Sequence, residues 1–347
     1  MIKLTVRQEN ILKYIQKNKK AGNRGISEYL GNKVSRFTIL RDIKSLLNNG
    51  LIIKSGKGRG VYYGEAIENK LLEYYNPDEY FNVPPDRRKA RESFNFEVFE
   101  NLNNTFSRAE TDKLNKMNLE YQQRLKTLPP TIVKKEFERL IIELSWKSSA
   151  IEGNTYTLID TEMLIKENKK AKGKKTEEAI MILNHKKALD FIRDKKVNFQ
   201  KLTLAKIENV HSLITADFQV SKGVRKRLVR ITGTKYKPLD NEFQIREALE
   251  KLIKTVNKIK SPLVKAVVLI LLISYIQPFE DGNKRTARVL GNAVLLAYNF
   301  CPLSYRSIDE AEYKKAMLLF YEQNSARYFK ELFMEQFKFA INNYFGA

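Results

Sequence analysis

Between residues 277 and 288 the chain reads Gln277-Pro278-Phe279-Glu280-Asp281-Gly282-Asn283-Lys284-Arg285-Thr286-Ala287-Arg288. An apolar helix is expected to end at Ile276 and a new one to start near Lys284. A glycine before a helix N-terminus lets backbone N–H groups approach an anion, and the helix dipole favours phosphate there. Arg285 and Arg288 lie three residues apart on one helix face, so both guanidiniums can reach the same polyphosphate. Asp281 is a hard oxygen ligand suited to Mg²⁺ bridging phosphates. A Gly-Asn pair alone would mark an ordinary capped junction. The whole string carries more anion-binding groups than a junction needs.

The string resembles the signature of the Fic/Doc family, H-x-F-x-[DE]-G-N-x-R-x-x-R, at every defined position but the first. The resemblance spans roughly residues 90–347 and implies a mainly α fold: a Fic-type helical bundle with a small β-hairpin flap. It implies transfer of AMP from ATP to a hydroxyl of a target protein, with release of pyrophosphate. Asp281 would hold Mg²⁺. Gly282, Asn283 and Lys284 would bind phosphates, Arg285 would sit near the β-phosphate and Arg288 near the γ-phosphate. Phe279 would anchor the loop. Ser148-Ser149-Ala150-Ile151-Glu152-Gly153-Asn154 is similar to the family's inhibitory motif, [ST]-x-x-x-E-[GN]. Ser148, Glu152 and Gly153 carry that match, and Glu152 is expected to pair with Arg288. A guanidinium cannot hold a carboxylate and a γ-phosphate at once, so self-inhibition is implied. Read alone, the same segment is a helix C-terminus closed by Gly153.

The first position departs from the pattern. The family has a histidine there that acts as general base, and this chain has Gln277. A carboxamide takes no proton near neutral pH, and a general base typically contributes ~10²–10⁴-fold. Positioning and electrostatic terms remain. Three explanations stay open: a slow or specialised transferase, a nucleotide-binding regulator without turnover, or a glutamine introduced in place of the natural residue. A further alternative is removal of AMP from a modified target, with Glu152 activating water.

Helical patterns dominate after Pro129-Pro130. Residues 93–127 are expected to be mostly helical. Residues 65–130 then form a connector with the first helices, and 131–347 the core. The segment Val224–Leu239 is rich in β-branched residues, with a turn at Thr232-Gly233-Thr234. It reads as an exposed hairpin. It resembles the family's target flap, with Ile231, Thr232, Gly233 and Thr234 at its tip. Ile207–Thr215 (IENVHSLIT) is similar to a helix preceding that flap, where His211 is expected to be structural. The most apolar run, Leu263–Ile276, is too short to span a bilayer and reads as a core helix.

Residues 1–64 hold 14 Lys and Arg against 3 acids, a balance of +11 out of +23 for the whole chain. The pattern is helix, helix, helix, then two short strands around the basic turn Ser55–Gly60. It resembles a winged helix-turn-helix, through which an ATP-binding regulator without turnover would act on DNA. Ser35, Arg36, Thr38 and Arg41 would then face double-stranded DNA, and Lys57 and Arg59 on the wing would reach phosphates. A protein-docking or dimerising module is the competing reading, with a second copy of the chain as partner.

Composition bounds the remainder. The 347 residues are 43% hydrophobic, enough to bury a core, so a disordered chain is excluded. One cysteine, Cys301, and two histidines, His185 and His211, exclude a disulfide scaffold and a multi-Cys or His-rich metal site. The N-terminus lacks a signal-peptide pattern, so a soluble cytoplasmic protein without membrane partners is expected.

Overall fold

The computed structural model describes residues 4–18, 20–66 and 69–345, with the side chain of Arg59 outside the described residues. The chain divides into two compact units, Met1–Tyr74 and Tyr75–Ala347.

The first unit runs α1 (Val6–Asn18), β1 (Ala21–Gly22), α2 (Asn23–Tyr29), α3 (Arg36–Asn48), β2 (Ile52–Ser55) and β3 (Tyr62–Glu65). Its core is the apolar stripe of each helix, chiefly Ile11, Leu12 and Ile15 from α1 and Ile39, Ile43 and Leu46 from α3. The Ser35 hydroxyl accepts the Thr38 N–H and caps α3. Gly50, at φ +60°, ends it. The sheet is antiparallel in the order β1-β3-β2, with Lys54 opposite Tyr63 and Ala21 opposite Tyr63 on the other edge. The two-residue β1 has no pattern that a sequence reading could detect.

The second unit is helical: α4 (Pro77–Asn82), α5 (Arg108–Thr127), α6 (Pro130–Ile151), α7 (Leu158–Glu167), α8 (Thr176–Asp194), α9 (Leu204–Ile214), α10 (Glu242–Lys258), α11 (Pro262–Ile276), α12 (Asn283–Ala297), α13 (Glu310–Gln323) and α14 (Arg327–Asn343). The continuous helix expected over 93–127 starts only at α5. Before it, residues 96–104 form short 3₁₀ turns. The Asn95 side chain caps the first turn, and Asn101 sits at φ +58°, which breaks helical propagation.

Helix α11 is buried on every face, as its unbroken apolar run requires. It packs antiparallel-adjacent in sequence to α12, with Gly291 at the contact: a Cβ there would lie 2.6 Å from Ile270 Cδ1. The glycine thus lets the two helices approach closely and fixes the loop between them. No helix among the described residues is long and apolar enough to cross a membrane.

Residues 224–239 contain the expected turn at Thr232-Gly233, with Gly233 at φ +83°, but their flanks form no strand ladder. The reason is that other partners hold both ends. Arg225 donates to the carbonyls of Arg227 and Leu239, and the Lys237 N–H donates to Glu92. Between Lys226 and Lys235 no backbone N–H donates to another described residue.

Candidate active site

The loop between α11 and α12 is tied from within. Asn283, the first residue of α12, turns back so that its Oδ1 accepts the Phe279 N–H at 2.9 Å. Its Nδ2 donates to the Phe279 carbonyl at 2.8 Å and to Gln277 Oε1 at 3.0 Å. Gln277 caps α11 in the left-handed region and donates its own Nε2 to the Ser274 carbonyl at 2.6 Å. Both ends of the Gln277 amide are therefore engaged. Phe279 is fully buried and stacks on His211 with ring centres 3.8 Å apart. His211 Nε2 lies 3.0 Å from the Asp281 carbonyl, and burial holds the imidazole below its ordinary pKa, so it donates there as a neutral ring. His211 thus ties α9 to the loop.

Gly282 is required by two constraints. Its φ is +77°, and a Cβ would meet Thr215 Cγ2 at 2.8 Å. The N–H groups of Gly282, Asn283 and Lys284 donate to no described residue, which leaves an anion-binding cradle at the start of α12.

Arg285 is almost fully buried, and its Nη2 donates to Asp281 Oδ2 at 2.8 Å, while Nη1 has no hydrogen-bond partner. Burial lowers the Arg285 pKa although Asp281 opposes the shift, and an anion placed at Nη1 would satisfy its unpartnered donor. Asp281 is two-thirds exposed at the loop surface. Its carboxylate is the oxygen donor that a divalent ion bound mainly by phosphates would need, and no cluster of three or more metal-ligating side chains exists among the described residues.

Arg288, one helical turn further, is completely buried. Its Nη2 donates to Glu152 Oε1 at 2.9 Å and to the Ser148 carbonyl at 2.9 Å, and its Nε donates to Ser148 Oγ at 2.8 Å. Glu152 Oε2 lies 3.5 Å from Lys284 Nζ. Burial alone would raise the Glu152 carboxyl, but Arg288 and Lys284 override it and hold the pKa at about 2. Helix α6 ends at this residue because Gly153 adopts φ +94°. The two sequence motifs thus meet through one ion pair.

A residue that the sequence did not flag completes the cluster. His185 on α8 places Nε2 2.8 Å from Ser148 Oγ and Nδ1 3.0 Å from the Met181 carbonyl. Burial, then the charge of Arg285, holds its pKa down to about 3, so the ring is neutral. With Nδ1–H given to Met181, Nε2 accepts the Ser148 hydroxyl, whose oxygen in turn accepts Arg288 Nε–H. No motif spacing marks His185, since its partners are distant in sequence. Arg225 was missed likewise: its Nε donates to the Gln277 carbonyl at 2.6 Å and its N–H to Pro278.

The loop opens into a cleft of about 420 Å³, a size common for small-molecule sites. Gln277, Asp281, Gly282, Asn283, Lys284 and Arg285 line it, with Glu152 on the facing wall. Val229, Arg230, Ile231 and Thr232 form another side. Gly233 and Thr234 turn away from the cleft: the Gly233 carbonyl accepts from Arg88, and Thr234 Oγ1 accepts the Tyr236 N–H. Ser148, Gly153 and Arg288 lie behind Glu152 and do not line the cleft.

The residues expected on DNA lie in the first unit. Arg36, Arg41 and Lys57 are exposed, Ser35 and Thr38 are joined by their hydroxyls at the cap, and the Arg59 side chain is outside the described residues. Phe37, 86% exposed, and Leu40 share the outward face of α3, which the charge pattern did not foretell.

An arginine-bearing loop at the start of a buried helix thus faces a carboxylate from another helix across one cleft. Residues 201–295, which span α9 to α12 and this loop, form a Fic/DOC family domain. The chain is 27% identical over 185 residues to a protein adenylyltransferase Fic of Nematostella vectensis, covering 52% of this chain and 43% of that one. It is 24% identical over 204 residues to protein adenylyltransferase fic-1 of Caenorhabditis elegans, covering 57% and 40%. The chain thus matches less than half the length of these relatives. Its fold resembles the solved Fic-1 fragment (aa134–508) of C. elegans, with TM-score 0.58, 20% identity, and 68% and 70% of the chains covered. It also resembles a Fic domain containing signaling protein from Bacteroides thetaiotaomicron, with TM-score 0.55, 21% identity, and 67% and 96% covered.

Proposed function

We propose that the second unit is a self-inhibited protein adenylyltransferase. It moves AMP from ATP to a hydroxyl of a target protein. The observation that carries this reading is the Glu152–Arg288 ion pair beside an intact Asp281-Gly282-Asn283 loop. The free N–H groups at the start of α12 and Arg285 bind the triphosphate, and Arg288 takes the γ-phosphate once Glu152 is displaced. Asp281 would hold a divalent ion such as Mg²⁺, whose charge would offset that of the phosphates. The target oxygen attacks the α-phosphorus, a new P–O ester forms, the bond to the β-phosphate breaks, and pyrophosphate leaves. Gln277 cannot take the hydroxyl proton, which passes to water, so turnover is slow. The segment Ile231–Thr234 guides the target, with Ile231 and Thr232 nearest the cleft. Removal of AMP by a water activated at Glu152 is the weaker reading: two cations hold that carboxylate at about 2, which makes it a poor base.

The decisive experiment incubates the chain with α-labelled ATP, Mg²⁺ and cell lysate, before and after Glu152→Gly. Label on protein supports the transferase. No label in either case, with ATP bound, favours a regulator without turnover.

The first unit favours a second function. Exposed Phe37 and Leu40, flanked by Arg36, Arg41 and Lys44 on α3, form an amphipathic reading face suited to a DNA major groove. In this reading the unit is a winged helix whose wing cations, Lys57 and Arg59, contact phosphate.

A further inference from the structure

Seven Lys and Arg fall between residues 222 and 237, with no acid among them. Most of them point to solvent. Lys222, Lys226, Arg227, Arg230 and Lys237 are exposed, and only Arg225 is buried, where it ties the segment to Gln277. Arg230 lines the cleft, and Lys314 of α13 lines it from another side. Two lysines have acidic neighbours, Lys226 at 3.8 Å from Glu242 and Lys235 at 3.6 Å from Glu92. Arg227, Arg230 and Lys314 pair with no carboxylate among the described residues. The backbone beside them is equally unoccupied, since its N–H groups from Lys226 to Lys235 donate to no other described residue. A run of N–H groups without partners is an open edge that a second extended chain can pair with.

We propose that this edge selects an acidic target: an extended segment whose accepting Ser, Thr or Tyr is flanked by Asp or Glu. The inference rests on the transferase reading for the role of the cleft and adds the substrate class. Backbone pairing along residues 226–232 gives register without sequence preference. Arg227 on the outer side, and Arg230 and Lys314 at the mouth of the cleft, supply the preference through charge. Without nucleotide, the acidic groups of the cleft do not oppose it. Glu152 is held by Arg288, Asp281 by Arg285, and Glu280 Oε2 accepts the Ser221 N–H at 3.4 Å, away from the edge. Rim charges of this kind set partner choice and encounter rate, and they weaken with salt.

The test uses the full chain and fluorescent peptides of one length, each with one central Tyr flanked by Glu and Asp, by Ser and Gly, or by Lys. Anisotropy titration should show the acidic peptide bound at least ~10-fold more tightly than the neutral one at low salt, with the gap narrowing as salt rises. Arg227→Glu with Arg230→Glu should abolish that preference, and Arg227→Gln with Arg230→Gln should reduce it. Equal binding of the three peptides, or a preference untouched by both double variants, overturns the proposal. So does a single-stranded oligonucleotide that binds through Arg227 and Arg230 more tightly than the acidic peptide. Calorimetry with ATP separates the two readings. Bound ATP without peptide selectivity removes this inference alone. Absent ATP binding removes the transferase reading, while the peptide titration still reports on the edge.

Discussion

Replacing Glu152 by glycine should convert the cleft from closed to receptive. The carboxyl is held at about 2 against an ordinary 4.5, roughly 2.5 pH units. At about 1.4 kcal/mol per unit, the surrounding cations favour the ionised form by about 3 kcal/mol. A γ-phosphate that takes Arg288 must displace that carboxylate, which puts the inhibitory effect on the order of 10²-fold in affinity. Glu152→Gly is expected to tighten ATP binding by ~10–100-fold in calorimetry. The gain should be smaller for ADP, which has no γ-phosphate. The variant without ligand should melt earlier, because Arg288 is fully buried and would be left without its carboxylate. Added ATP should then raise its Tm more than it raises that of the parent. Glu152→Gln, which keeps a hydrogen-bond acceptor but no charge, should fall between. The depressed pKa also fixes the pH behaviour. Stability from this pair is complete above about 4.5 and is lost as pH falls toward 2, so acidification from 8 to 6 should not release inhibition. Unchanged ATP affinity in a folded Glu152→Gly variant would refute the competition argument.

Gln277→His combined with Glu152→Gly should raise AMP transfer, read with α-labelled ATP, by at least ~10-fold, while ATP affinity stays close to that of Glu152→Gly alone. Gly282→Ala must force a left-handed alanine against Thr215 and should cost about 1–3 kcal/mol in chemical denaturation, with weaker ATP binding. His185 has a pKa of about 3 when folded, well below its unfolded value, so its contribution to stability is complete above about pH 6.5 and falls as pH drops toward 3. Denaturation at pH 7 and 4.5 should show a loss of about 2–3 kcal/mol that His185→Gln removes. Arg36→Glu with Arg41→Glu in the full chain should weaken duplex DNA binding and flatten its salt dependence, measured by anisotropy; a chain that shows no salt-dependent binding at all would make the first unit a protein-docking element.

What the sequence disclosed was local. Helix α11, the break after Ile276 and the start of α12 follow from an apolar run interrupted by Asp281-Gly282-Asn283, residues that are adjacent in the chain. The mainly helical architecture follows from the same kind of periodicity. Contacts between distant segments were not disclosed. Ser148 and His185 are separated by 37 positions and Ser148 and Arg288 by 140, and only packing of α6, α8 and α12 brings them together. The 3₁₀ turns before α5 differ from the helix expected over 93–127. Asn95 and Asn101 impose turns instead. β-branched residues suit both a strand and the extended, unpaired flanks found at residues 224–239. Arg225, whose donors capture the carbonyls, decides between them.

Gln277 sits between the Ser274 carbonyl and the Asn283 amide as one donor and one acceptor. A neutral imidazole also carries one of each. The loop therefore keeps its shape whichever of the two residues occupies the position, and a change in the third base of the codon is enough to exchange them. The hydrogen-bonding role of the position is thus separable from the proton transfer proposed for it. In the proposed transferase, an exchange at this position would change the proton acceptor while leaving the ion pair and the helix packing undisturbed.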